Sequence, residues 1–165
     1  MQPVKRRTWA LRGQTPVQRA WDRHDRLSVI GAVTLSPQRQ RIRHFFGVGH
    51  ENIRTARVAA FLKYVRYELR KPIVVVLDRF SAHQSAARQL ADEGATNIRF
   101  EWLRAYAPDL NPVEALWSYT KYADLANFIP PDATALRHAV CHSINQQADR
   151  QPLLRSFFHA AKLKL

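Results

Sequence analysis

Five consecutive aliphatic residues followed by a carboxylate, IVVVLD at residues 73–78, constrain this chain more than any other stretch. A short, unbroken, β-branched run predicts a strand buried on both faces. That places helices on either side of a sheet, and so predicts an α/β fold. The order of the other segments agrees. RLSVIGAVTL (26–35) predicts a strand ending at the Ser36-Pro37 turn, and QRQRIRHFFGV (38–48) predicts a second strand antiparallel to it. On that second strand Arg39, Arg41 and Arg43 share one face, with Ile42 opposite. Residues 52–70 place Val58, Phe61, Leu62, Val65 and Leu69 at helical spacing, and Lys71-Pro72 stops the helix. A short helix over 85–94 closes at Gly94, a strand follows at 98–102, and the loop 104–111 leads into a helix beginning at Pro112. Beyond Pro130-Pro131, residues 132–149 and 152–163 predict two closing helices. The expectation is one domain over 1–165, built on a sheet that mixes antiparallel and parallel pairing and is flanked by helices.

In such sheets polar groups gather at the carboxyl ends of strands, where side chains leave the core, and Asp78 stands at such an end. A second carboxylate, Glu114, opens the helix reached through APDLNPVEALW (107–117). Two readings of Glu114 compete. Asn111 suits an N-cap, Pro112 the first helical position and Glu114 the third, where a capping-box carboxylate belongs. Alternatively, Asp78 and Glu114 project from neighbouring elements as ligands for a hard, oxygen-seeking cation such as Mg²⁺. Two such ions would activate an attacking oxygen and stabilise a leaving one in phosphodiester chemistry.

Charge bears on the partner. The chain carries 26 Lys and Arg against 13 Asp and Glu, and the excess lies in its first half: residues 1–71 hold 16 basic and 4 acidic side chains, 13 of them arginine. Arginine grips phosphate through a bidentate fork, so this half suits nucleic acid. No apolar run approaches the roughly 20 residues needed to span a bilayer. No apolar segment follows the N-terminal basic residues, and the single Cys141 forms no internal disulfide. A cytoplasmic protein without a membrane role is the expectation.

Five segments in order, RRTWALRGQTPV (6–17), LSVIGAVT (27–34), VVVLDRFSAH (74–83), YAPDLNPVEALWSYTK (106–121) and LLRSFFHAA (153–161), resemble the catalytic domain of the IS630 family of bacterial transposases, relatives of the Tc1/mariner group. The resemblance covers nearly the whole chain. It implies an RNase H-like fold, a DDE or DDD carboxylate triad and two Mg²⁺ or Mn²⁺ ions. It also implies cutting and joining of double-stranded DNA at transposon ends, with a homodimer on the DNA. Matched residue by residue, Asp78 is the second carboxylate and Glu114 the third, and this match favours ligation over capping for Glu114. The family's first aspartate stands on a strand just before the segment matching RRTWALRGQTP, which here begins at Arg6, close behind Met1. The expectation is therefore that the first strand is missing and that the isolated chain is inactive. Asp22 and Asp25 fall after the matched segment and read as loop residues. The alternative to a transposase is a non-catalytic DNA-binding remnant with a regulatory role or none; a structural RNA-binding protein ranks third.

Other residues take subsidiary roles. His83 matches a histidine common in the family, and stands near metal, phosphate or core. Arg79 replaces an asparagine often seen there and is placed to touch phosphate. Together with Arg39, Arg41 and Arg43, these two form the candidate DNA-binding set. His138 and His142 read as ordinary helix residues beside Cys141, without a second ligand pair of zinc spacing. Trp9 and Trp21 could stack on bases, whereas Trp102 and Trp117 fall in core-like patterns.

Overall fold

The computed structural model describes residues 4, 6–14, 17 and 27–165. Asp22, Asp25 and Trp21 lie outside the described residues. The element order is β1 (Ser28–Leu35), β2 (Ile42–Gly49), α1 (Thr55–Leu69), β3 (Ile73–Leu77), α2 (Ser81–Asp92), β4 (Ile98–Trp102), a 3₁₀ turn (Pro108–Leu110), α3 (Pro112–Tyr119), a π-helical turn (Thr120–Asp124), α4 (Ala133–Gln147) and α5 (Gln151–Ala160). This is the α/β order read from the sequence.

Instead of one continuous mixed sheet, the described residues form two strand pairs. β1 and β2 are antiparallel with Ala32 opposite Phe45, and β3 and β4 are parallel with Val75 opposite Phe100. Both pairs pack on the same two helices. Ile30, Phe45 and Ile98 share one buried cluster with Val58, Leu62 and Val65 of α1 and Ala86 and Leu90 of α2, and Ile73, Val75 and Phe100 pack against it. The opposite face of β1–β2 carries Val29, Val33, Ile42, Phe46 and Val48. These meet Leu116 of α3, Val140 and Ile144 of α4, and Leu154 and Phe157 of α5 in a second cluster.

The expected double burial therefore belongs to β1–β2 and not to β3. Burial alternates along β3, leaving Val74 and Val76 61% and 57% exposed. A run of valines records that a strand is apolar, but whether both faces are covered depends on helices elsewhere in the chain.

The second strand also starts later than expected. Residues 36–41 form a closed turn: the Ser36 amide donates to the Arg41 carbonyl, and Ser36 Oγ accepts from the Gln40 and Arg41 amides. Arg39 adopts φ 58°, a left-handed conformation that no strand residue holds. Arg39 and Arg41 thus sit in a turn, Arg43 alone lies on β2, and the arginine stripe does not form.

Two polar features anchor the helical layer. The Gln151 side chain pairs with both backbone groups of Ile42, accepting from its amide at 3.0 Å and donating to its carbonyl at 2.8 Å, which fastens α5 to the start of β2. Fully buried Gln147 donates to Thr120 Oγ1 at 3.0 Å, and Ser143 donates to the Asp124 carboxylate at 2.7 Å, tying α4 to the π-helical turn.

His44, on the helix-covered face of β2, carries a buried Nδ1 without a hydrogen-bond partner among the described residues. Burial holds its pKa below the ordinary value, against a smaller opposing effect of the nearby Ile144 backbone. The unfolded chain therefore binds this proton more readily than the folded one. The stability tied to neutral His44 is complete above about pH 6.5 and declines as pH falls through that value towards the lowered one. Thermal melts of the wild type are expected to weaken from neutral to mildly acidic pH. His44→Phe is expected to flatten that part of the slope; an unchanged slope contradicts this assignment.

Candidate active site

Asp78 immediately follows β3 and leads into α2. Its Oδ1 accepts from the Phe80 amide at 3.0 Å and lies 2.5 Å from His83 Nδ1, one turn into the helix. The Phe80 ring meets the His83 ring edge-on at 5.5 Å. One carboxylate oxygen is thus committed to the start of α2. The other, Oδ2, has no partner among the described residues, and the side chain is 47% exposed. His83, whose role the sequence left open, stands against the carboxylate and fixes its orientation. Arg79 points towards the end of β4, its Nε donating to the Leu103 carbonyl at 3.3 Å.

Glu114 is set by local chemistry. Asn111 caps α3, its side chain accepting from the Val113 amide at 3.2 Å, and Pro112 takes the first helical position. The capping-box partner for Glu114 would be the Asn111 amide, but that amide already donates to the Pro108 carbonyl at 3.0 Å. The Glu114 carboxylate is exposed and forms no hydrogen bond or ion pair with a described residue. Capping explains Asn111 and leaves Glu114 unexplained. Leu116 anchors the helix in the second cluster, and the Trp117 indole packs over Gly31 of β1 so closely that a Cβ there would lie 2.6 Å from it.

The arginines take other places. β2 runs through residues 50–54 into the start of α1, whose first turn brings Arg57 against Gly49, and α1 ends at Leu69, a short turn before β3 begins at Ile73. Asp78, at the far end of β3, is therefore at the same end of the domain as the start of α1. The turn bearing Arg39 and Arg41 is at the opposite end. Arg43 stacks over the Phe45 ring at 4.9 Å. Of the candidate set, His83 and Arg79 cluster with Asp78; Arg39, Arg41 and Arg43 do not. Among the described residues no group of three His, Cys, Asp or Glu side chains could hold a metal ion.

Residues 1–137 match the family described as DDE superfamily endonuclease. The chain belongs to that family. Enzymes of this superfamily use divalent ions, and Asp78 and Glu114 both lie within the matched residues. No match is found among curated protein sequences. Among solved structures, this chain is similar to a chain of the crystal structure of the Mos1 strand transfer complex. The TM-score is 0.62 and the identity 14%, over 97% of this chain and 48% of that one. The likeness is one of fold, RNase H-like, and the chain spans about half the length of the structure it matches. No helix among its described residues is long and apolar enough to cross a membrane.

The donor set fits a hard cation in kind. Asp78 Oδ2 and the Glu114 carboxylate, neither of them partnered among the described residues, are oxygen ligands of the type Mg²⁺ and Mn²⁺ accept. Three features escaped sequence reading: the commitment of one Asp78 oxygen to His83, the partnerless Glu114, and a groove beside Arg79 lined by Trp102. The expectation of a core position for Trp102 is not met, since it is 39% exposed, whereas Trp117 does pack in the second cluster.

Proposed function

We propose that this chain is the catalytic part of an IS630-type insertion-sequence transposase that cleaves and joins strands of double-stranded DNA, with Asp78 and Glu114 as metal ligands. The observation that carries the reading is the Glu114 carboxylate, which a helix start capped by Asn111 presents without a partner among the described residues. Asp78 contributes Oδ2 while His83 and the Phe80 amide hold Oδ1. Two Mg²⁺ or Mn²⁺ ions bound there supply charge neutralisation at the phosphate and an acidified attacking oxygen. The first carboxylate belongs on a strand between the two strand pairs, which pack on the same helices and share no ladder. The protein acts in the bacterial cytoplasm, at the nucleoid when DNA-bound, as a homodimer on transposon ends.

The test is nicking of supercoiled plasmid by this domain joined to a strand carrying that first carboxylate. Cutting in Mg²⁺ that stops with EDTA is expected. The basic excess, 26 Lys and Arg against 13 Asp and Glu, also supports a second reading, a DNA-binding chain with a regulatory role or none. Plasmid that is bound, sensitively to salt, but never cut with any metal would select it.

A further inference from the structure

Among the described residues β2 has a strand neighbour on one side only, β1. The bond from the Ser36 amide to the Arg41 carbonyl sets the parity of that ladder, so Arg43, Phe45, Gly47 and Gly49 spend their backbone groups on β1. Antiparallel pairing turns the N–H and C=O groups of the intervening residues the other way. The first of these, Ile42, has both groups taken by the Gln151 side chain, which agrees with that direction and plugs the start of the edge. The amides and carbonyls of His44, Phe46 and Val48 form no hydrogen bond with a described residue. No described side chain plugs the outer edge of β1, so the strand assigned to the space between the two pairs has a longer edge there.

An open edge invites another backbone, and β2 lacks the usual deterrents: over eight residues it carries one charge, Arg43, and no proline. Its surroundings select for charge. Residues 36–57 hold five arginines and one acid, Glu51. On the α1 face of the strand Arg43 lies over the Phe45 ring and Arg57 lies against Gly49, and neither has an ion-pair partner among the described residues. On the opposite face Phe46 and Val48 offer half-buried apolar surface. We propose that the free edge of β2 takes up an extended acidic segment of a partner protein by antiparallel strand addition. Apolar residues of that segment lie opposite His44, Phe46 and Val48 and exchange backbone hydrogen bonds with them, while the alternate carboxylates face Arg43 and Arg57. Nucleic acid phosphates supply acceptors only and would leave the three carbonyls without donors. A second copy of this chain, itself of net charge +13, would set arginine against arginine along the same edge. The inference is independent of strand cleavage and goes beyond it.

The test is the affinity of the full chain, by fluorescence anisotropy, for a short synthetic peptide of alternating valine and glutamate. Two further versions carry N-methyl groups, one on every valine and one on every glutamate. All three have the same charge and leave the protein unaltered. The valine amides face β2, so their methylation is expected to weaken binding at least about tenfold through lost ladder bonds. Methylation of the glutamates is expected to leave the affinity near that of the unmodified peptide. Arg43→Glu is expected to weaken the unmodified peptide by a comparable factor. Equal affinity for the two methylated peptides would show attraction by charge alone and overturn the inference, as would no binding of any of them. A dimer of the free chain in sedimentation that the unmodified peptide dissolves would assign the edge to a second copy. Displacement of the peptide by duplex DNA would assign it to nucleic acid, and either result overturns the inference.

Discussion

Asp78→Asn and Glu114→Gln are each expected to lower Mg²⁺-dependent cleavage by this domain joined to a strand carrying the first carboxylate by more than about a hundredfold, without weakening DNA binding. Both substitutions keep shape and hydrogen-bonding capacity and remove only the charge that a hard cation requires. Loss of groups that merely orient metal ligands costs about 10- to 100-fold, so loss of a ligand itself costs more. His83→Ala serves as the graded control. It removes the imidazole from Asp78 Oδ1 but leaves the Phe80 amide in place, so its expected loss falls within that outer range. Plasmid nicking at saturating Mg²⁺ measures all three. Cleavage at the wild-type rate in either carboxylate variant contradicts the assignment.

Gly31→Val is expected to destabilise the fold by about 1–3 kcal/mol, the usual cost of overpacking. It is also expected to weaken metal binding although residue 31 touches no ligand. A Cβ at this position would overlap the Trp117 ring, and the two γ-carbons of valine extend further into it. The ring cannot withdraw freely, because Trp117 packs against the second cluster and Leu116 beside it is buried in that cluster. The helix must therefore tilt or lift, and Glu114, one turn away on the same short helix, moves with it. Denaturant melts report the first effect and Mn²⁺ titration the second. Gly47→Ala is a control on the same strand pair: its added Cβ meets only the Ile30 side chain, at 3.3 Å. It is expected to cost less and to leave metal binding intact.

The residues that were legible in the sequence are those whose structure is decided locally. Asn111-Pro112 fixed the start of α3 because an N-cap and a first-turn proline act within a few residues. Asp78 could be placed because the end of an apolar run is visible without knowing its neighbours. The differences arise at the tertiary level. Alternating Arg39, Arg41 and Arg43 mimicked a strand face, but Ser36 closes a turn across them and Arg39 takes a left-handed backbone that the alternation could not signal. The valines of β3 read as doubly buried because composition records apolarity, while coverage depends on where α3 to α5 pack, and in this fold they cover β1–β2. Trp102 read as core for the same reason. The pairing of Asp78 with His83 was half visible, since five residues across a strand–helix junction bring side chains together only when the helix begins at Ser81, four residues earlier than its pattern suggested.

The central claim is that Asp78 and Glu114 serve one cation site, and Mn²⁺ titration by electron paramagnetic resonance tests it most directly. The wild type, both single variants and the double variant Asp78→Asn/Glu114→Gln should be compared. If both carboxylates hold the same site, each single variant loses most of the bound Mn²⁺ signal and the double variant loses little more than the weaker single one. A Glu114→Gln variant that titrates like the wild type, or losses that simply add, would show that the two carboxylates act apart and would contradict the account.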